Sequence, residues 1–195
     1  MVLNTQDSRL TAALRAKRNG HVGVVVWLTG LSGSGKSTLA SAVELELFNQ
    51  GKQVFMLDGD HLRGGLCSDL GFSPEARKEN VRRAGEVAAL FAEAGLLCIA
   101  AFISPYRSER ALARRVAPEG RFLEVYLNAP LAVCEKRDPK GLYARARTGE
   151  LKQFTGVSAP YEPPEHPDLE LRTDRFSVTQ CVDLLLDKIG QFSLT

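Results

Sequence analysis

Residues 30–37 read GLSGSGKS, a complete G-x-x-x-x-G-K-[ST]. The run before it, Val24–Leu28, is apolar without a break. The stretch after it, STLASAVELELFNQ, predicts a helix from Lys36 to about Gln50 that stops at Gly51. A glycine-rich turn between a buried strand and a helix has a definite physics. The glycines allow backbone turns closed to other residues, so successive N–H groups face a phosphate at the positive end of the helix. Lys36 adds a point charge for the β and γ phosphates, and the Ser37 hydroxyl suits magnesium. An incidental glycine-rich turn would need neither. The motif alone implies a nucleoside triphosphate and leaves a switch GTPase, a motor and a small-molecule kinase open.

Working outward, QVFMLD (53–58) predicts a second strand, and SPEARKENVRRAGEVAALFAEAG (73–95) is the best-marked helix. It has a serine N-cap, proline at the first helical position, a terminal glycine, and a core face of Val81, Ala84, Ala88 and Phe91. LLCIAAFI (96–103) predicts a buried strand. A short helix over 108–115, a strand FLEVYLN, a basic stretch from Lys136 to Lys152, a strand LELRT and a terminal helix follow. Strands alternating with helices imply an α/β fold with a central parallel sheet. Four prolines in QFTGVSAPYEPPEHPD (153–168) argue against regular structure there, and so long a loop suits a lid or a passive connection. The expected organisation is a polar lead-in over 1–20, then one domain over 21–195 with a mobile lid at about 136–165.

Of the 195 residues, 44% are apolar and 25% charged, which is ordinary for a globular domain. No stretch reaches the roughly 18 apolar residues of a membrane span, and the N-terminus lacks a signal peptide's apolar core, so the chain reads as cytoplasmic. A net charge of +2 gives no argument for nucleic acid. Cys67, Cys98, Cys134 and Cys181 lack zinc-ligand spacing.

In open parallel sheets ligands bind beyond the carboxyl ends of the strands. Thr29-Gly30, Asp58, Ser104 and Asn128 all fall at that edge, so Asp58, Asp60 and Ser104 are expected to face the triphosphate. Asp60 suits orienting an acceptor hydroxyl and taking its proton, with Asp58 as its support if the segment stays extended. The alternative for D-G-D is a turn capped by its own aspartates. Arg77 shares the inner face of its helix with Val81 and Ala84. It therefore either awaits an anion, snorkels, or pairs with Glu75 or Asp69. Arg63 carries the same ambiguity. The GTPase markers N-K-x-D and an apolar strand ending in D-x-x-G are missing, and LLCIAAFI ends instead in Ser104-Pro105.

GLSGSGKSTLA, LDGDHLRGGL, DLGFSPEARKENVRR, FISPYR, KRDPKGLY, RARTGELKQFTG and APYEPPEHP, in this order, resemble the adenylylsulfate kinases, which are P-loop kinases. The resemblance implies transfer of the ATP γ-phosphoryl group to the 3'-hydroxyl of adenosine 5'-phosphosulfate (APS) in sulfate assimilation, with magnesium. It implies ATP contacts from Gly30, Gly33, Ser34, Gly35, Lys36, Ser37, Thr38 and Arg137. Arg63, Arg77, Asn80, Ile103, Ser104 and Lys140 would hold APS, and Phe72 and Phe154 would sandwich its adenine. Ser37 and Asp60 would serve the metal, with Lys36, Asp58, Asp60 and Ser104 as the catalytic set. Ser104 is either a phosphoserine intermediate or only a substrate contact. A homodimer and a sulfurylase partner are further expectations. His61, Gly64, Cys67 and Ala76 depart from the family pattern, and none is an anchor named above. Another small-molecule kinase, or an inactive nucleotide-binding regulatory module, is the alternative.

Overall fold

A computed structural model describes residues 10–192. The first nine residues of the expected lead-in lie outside them. The elements are α1 (Ala12–Asn19), β1 (Val24–Thr29), α2 (Lys36–Asn49), β2 (Val54–Asp58), α3 (Gly59–Gly64), α4 (Pro74–Glu93), β3 (Leu97–Ala101), α5 (Arg107–Val116), β4 (Phe122–Leu127), α6 (Leu131–Arg137), α7 (Leu142–Arg147), β5 (Leu169–Leu171) and α8 (Val178–Gly190). The strands form one parallel sheet in the order β2-β3-β1-β4-β5. Because β1 is central and covered on both faces, every residue of it is buried, which explains its unbroken apolar run.

The two faces of β1 feed two cores. Val24, Val26 and Leu28 pack with Leu39, Val43 and Leu47 of α2 and Leu185 of α8. Val25 and Trp27 pack with Val81, Ala84 and Ala88 of α4 and Ala113 of α5. The Trp27 ring stacks with Phe102 at 5.2 Å and Phe122 at 6.0 Å between centroids. A third, smaller cluster gathers Ala129, Cys134, Tyr143, Ala146 and Phe154 behind the glycine-rich turn. All four cysteines are free and buried. No helix among the described residues is long and apolar enough to cross a membrane.

Helix α4 starts as its sequence dictates: the Ser73 side chain accepts from Ala76 N, and Pro74 occupies the first turn. Two other expectations change. D-G-D does not stay extended, because α3 begins at Gly59 and Asp58 becomes its N-cap, accepting from Asp60 N at 2.9 Å. The lid expected over 136–165 divides into two parts. Its first part coils into α7 and tight turns, whereas residues 161–168 are a strap fixed across the sheet edge.

Proline's missing N–H leaves few donors to satisfy in the strap, and the N–H groups of Glu162 and Asp168 are paired with Pro105 O and Glu124 O. Glu162 N donates to Pro105 O at 2.8 Å, and its carboxylate caps α5 by accepting from Arg107 N at 2.8 Å. Arg107 Nε donates to Pro163 O at 2.8 Å. Asp168 accepts from Glu124 N at 2.7 Å. Arg110, only 2% exposed, donates to Glu124 at 2.7 Å, to Ser104 O at 2.7 Å and to Glu162 O at 2.7 Å. One buried guanidinium thus ties α5, β4, the β3–α5 loop and the strap together.

Gly23, at the entrance to β1, marks the tightest approach of α4: a Cβ there would lie 2.0 Å from Ala92 O. Gly23→Ala is therefore expected to lower stability by about 2 kcal/mol or more, read as a reduced urea midpoint at unchanged slope.

Candidate active site

The glycine-rich turn is fixed from behind. Lys36 Nζ donates to Gly30 O at 2.9 Å and Leu31 O at 2.7 Å. Tyr143 OH donates to Ser32 O at 2.9 Å, Arg137 to Gly33 O at 3.3 Å, and Thr173 Oγ1 to Ser34 O at 2.8 Å. Every carbonyl from Gly30 to Ser34 thus accepts from a side chain. A carbonyl held on one side of a planar peptide sets its N–H to the other, so these contacts fix the cradle's donors before any anion arrives. The first amides of α2, Lys36 to Thr38, add donors that no carbonyl within the helix can reach. Gly33 must be glycine twice over, since its φ is +73° and a Cβ would lie 2.8 Å from Cys134 O. The Ser34 hydroxyl is buried without a partner among the described residues, and its backbone N–H closes the turn by donating to Leu31 O at 3.1 Å.

Of these supports, Lys36 and Arg137 were legible in the sequence; Tyr143 and Thr173 were not assigned. Thr173 follows β5 at the sheet's carboxyl edge, a position that could have signalled it. Arg137 also donates to Thr173 O at 2.6 Å, so the two form one brace.

Asp58 ends β2 beside this cradle. Its Oδ2 accepts from Ser37 Oγ at 2.7 Å while Oδ1 caps α3. Asp60, one turn into α3, instead pairs with Lys140 from the loop between α6 and α7. Ser37 is therefore joined to Asp58, whereas Asp60, expected with Ser37 at the metal, is paired with Lys140. The cause is α3, whose turn carries Asp60 away from the residue two before it. The Asp60 carboxylate holds the Lys140 pKa above its ordinary value. Burial pulls Lys36 down to about 8, against the opposing effects of Cys134 and Asp58.

Beyond α3 the loop 65–73 is held by arginines through its carbonyls. Arg63 donates to Gly71 O at 2.9 Å, Arg83 to Leu66 O at 2.9 Å and Arg77 Nε to Phe72 O at 3.0 Å. Arg83 also binds Asp69 and Glu79. Arg77 reaches across to Thr155 Oγ1 at 3.4 Å, joining the Phe72 loop to the segment that carries Phe154. Its hydrogen-bond partners among the described residues are a carbonyl and a hydroxyl, with no carboxylate, and burial depresses its pKa. The pairing of Arg77 with Glu75 or Asp69 weighed above does not occur. Phe72 is 68% exposed, and the Arg63 guanidinium lies 4.5 Å from its ring centroid. Asn80, on the inner side of α4, is 5% exposed.

A phosphate cradle, two carboxylates and an arginine-lined recess at one sheet edge describe a phosphotransferase. The family model of adenylylsulphate kinase matches residues 22–172. The chain belongs to the adenylylsulfate kinases. An adenylyl-sulfate kinase of Enterobacter sp. (strain 638) is 56% identical over 182 residues, which cover 93% of this chain and 90% of that protein. One from Marinobacter nauticus is 52% identical over 180 residues, covering 92% and 90%. The Mycobacterium tuberculosis APS kinase, solved in complex with AMPPNP and APS, superposes with a TM-score of 0.82 at 48% identity. That match covers 87% of this chain and 98% of the other.

Two residues named from the family resemblance sit where their expected contacts are not open. Ser104, read as facing the triphosphate, is 2% exposed. Its Oγ accepts from Trp27 Nε1 at 3.0 Å and donates to Thr29 Oγ1 at 3.1 Å, and Thr29 also meets Tyr161 OH at 3.0 Å. The chain turns sharply there, with Ser104 φ at +38°, and this directs the side chain beneath β1 rather than out of the edge. The neighbouring Ile103 offers its carbonyl to Thr29 Oγ1 at 2.8 Å. Phe154 is 8% exposed and meets Tyr143 edge-on at 5.0 Å, because the turns at Gln153 and Gly156 fold it into the third cluster. Phe72 and Phe154 thus differ: one ring is presented, the other is packed.

The depressed pKa of Lys36 has a measurable sign. The empty site loses the lysine charge as pH rises through about 8, whereas a bound phosphate favours the charged form. ADP affinity of this kinase is expected to fall about fivefold between pH 8 and 9, with proton uptake on binding near pH 8 and little at pH 6. Titration calorimetry in buffers of differing ionisation enthalpy checks both.

Proposed function

We infer that this chain transfers the γ-phosphoryl group of ATP to the 3'-hydroxyl of APS, giving 3'-phosphoadenosine 5'-phosphosulfate and ADP. The observation that carries the reading is Arg77. This half-buried guanidinium bridges Phe72 and Thr155 without a carboxylate partner, at the same sheet edge as the phosphate cradle. A buried cation so placed favours an anionic acceptor, and a planar fork suits phosphate and sulfate. Arg63 backs one face of Phe72 and leaves the other for the acceptor's adenine, a stack worth about 1–3 kcal/mol. Phe154 completes the sandwich only by leaving Tyr143. Asn80, Ile103 and Lys140 complete the acceptor side. ATP lies against the amides of Gly33, Gly35, Lys36, Ser37 and Thr38, with Arg137 at its rim.

Magnesium suits this site. Ser37 and Asp58 offer oxygen donors 2.7 Å apart, and among the described residues no cluster of three or more acids, cysteines or histidines would build a protein-only cage. That is the donor set expected for an ion held chiefly by phosphate and water. The ion supplies charge neutralisation on the transferring group when bound. Asp60 orients the acceptor hydroxyl and takes its proton late in transfer, once Lys140 has turned to the phosphates. The same reading includes a cytoplasmic location and, from the family resemblance, a homodimer and a sulfurylase partner. An inactive regulatory module would need neither Asp60 nor the unpaired Arg77.

Incubation with ATP, magnesium and APS is expected to yield the 3'-phosphorylated product, resolved by ion-pair chromatography; transfer only to another acceptor would overturn the reading. In the same assay Asp60→Asn should lower kcat at least about 100-fold while ADP affinity changes little. Ser104→Ala separates the two roles weighed for that serine. With its hydroxyl sealed against Trp27 and Thr29, the variant should keep most of its kcat and lose thermal stability. Retained kcat excludes the covalent route, whereas a collapse of kcat in folded protein would leave both roles open.

A further inference from the structure

Two oxygens near the recess are sealed from solvent without a partner among the described residues: Asn80 Oδ1 on α4 and Glu109 Oε2 on α5. Their residues are 5% and 4% exposed. Both helices return antiparallel to the parallel strands, so they run side by side in the same direction. They touch closely at Gly85, where a Cβ would lie 3.2 Å from the Ala113 Cα. One turn toward the N-termini, the same seam carries Asn80 and Val81 on α4 and Glu109 on α5. That end of the seam opens on the carboxyl edge of the sheet, beside Arg77.

Two unpaired acceptors in one dry seam can satisfy each other only if one of them carries a proton. A glutamic acid has that option; an asparagine carbonyl has not. The surrounding charges leave the option open. Arg110, on the same helix as Glu109, has its fork taken up by Glu124, Ser104 O and Glu162 O. Lys78 and Arg77 act on Glu109 from α4, Glu162 from the strap, and the Tyr106 backbone hydrogen-bonds its carboxyl from the start of α5. Burial pushes the Glu109 pKa up, against the opposite pull of the Tyr106 backbone, Arg110 and Lys78. The Asn80 amide nitrogen is not sealed as its oxygen is, so it is the end a ligand can reach.

Resting on the acceptor site described above, we propose that Glu109 is a positioning residue held as the neutral acid. Its O–H donates to Asn80 Oδ1, which turns the Asn80 N–H groups toward the anionic group of the acceptor beside Arg77. The neutral form has a second consequence: it leaves the positive charge of Arg77 uncompensated for the incoming anion. A carboxylate there would repel the acceptor and force the amide to present its oxygen.

Steady-state kinetics of the full chain with ATP, magnesium and APS, for wild type, Glu109→Gln and Glu109→Leu, test the idea. Gln has an N–H donor in place of the acid O–H, so its KM for APS is expected within about twofold of wild type. Leu has no donor, and its KM for APS should rise about tenfold, the value of one buried hydrogen bond. The KM for ATP should stay within about twofold in both. A Gln variant with APS binding severalfold weaker would show that the carboxylate charge is what matters and would sink the proposal. An unchanged KM for APS in Leu, or an equal rise in both KM values, would reduce Glu109 to a packing residue. Should Leu fail to fold, Glu109→Met, which also lacks a donor and is closer in length, takes its place. Absence of product from wild type would overturn the acceptor reading itself, whereas product from wild type with a failing Gln variant overturns only this inference.

Discussion

The structure depends on the side-chain donors that hold the carbonyls of Gly30 to Ser34 outward. An isolated glycine-rich segment has many conformations, and ordering it costs about 1–2 kcal/mol per residue. Here that cost is met during folding, by Lys36 from within the turn, Tyr143 and Arg137 from the helical segment after β4, and Thr173 from the end of β5. A phosphate entering the cradle finds its donors arranged. The third hydrophobic cluster follows from the same need, since Tyr143 can reach Ser32 only if α7 is packed against the back of the turn.

The opposite rim is built by different means. There, arginines bind backbone carbonyls of the 65–73 loop, and only Arg83 among them finds carboxylates. Arginine has more donors than a single carbonyl can absorb, so Arg63 and Arg77 shape the loop while keeping positive charge for a ligand. Arg110 makes the strap a fixed wall by the same device. The segment around α7 and its flanking turns lies between a braced cradle and a braced strap.

Much of this was legible in the residues. The uninterrupted apolar run of β1, the capped start of α4 and the strand-turn-helix setting of GLSGSGKS each state their structure through local rules. What was not legible depended on distant contacts. The helix α3 is too short for periodicity to reveal, and it forms because Asp58 can cap it. The burial of Ser104 follows from a left-handed turn at a non-glycine residue, stabilised by Arg110 six positions on. The strap looked mobile because prolines deny it regular structure, yet the absence of N–H donors is what lets it lie against the protein at little cost. Phe154 looked like a loop aromatic until Tyr143, eleven residues earlier, supplied a surface for it. Glu109 carried no motif, and only its orphaned oxygen draws notice.

The pair between Asp60 and Lys140 joins two groups that the proposed reaction uses separately. Both side chains are mostly solvent-exposed, 72% and 58%, and an exposed pair of this kind is worth roughly 0–1 kcal/mol. It is therefore weak as a structural tie. Water and the ion pair hold these two charges in near balance, so in the proposed reaction a polyphosphate can draw the lysine away and leave the carboxylate without its partner. Freeing the base then costs little, because the contact that is replaced contributes almost nothing to holding the molecule together.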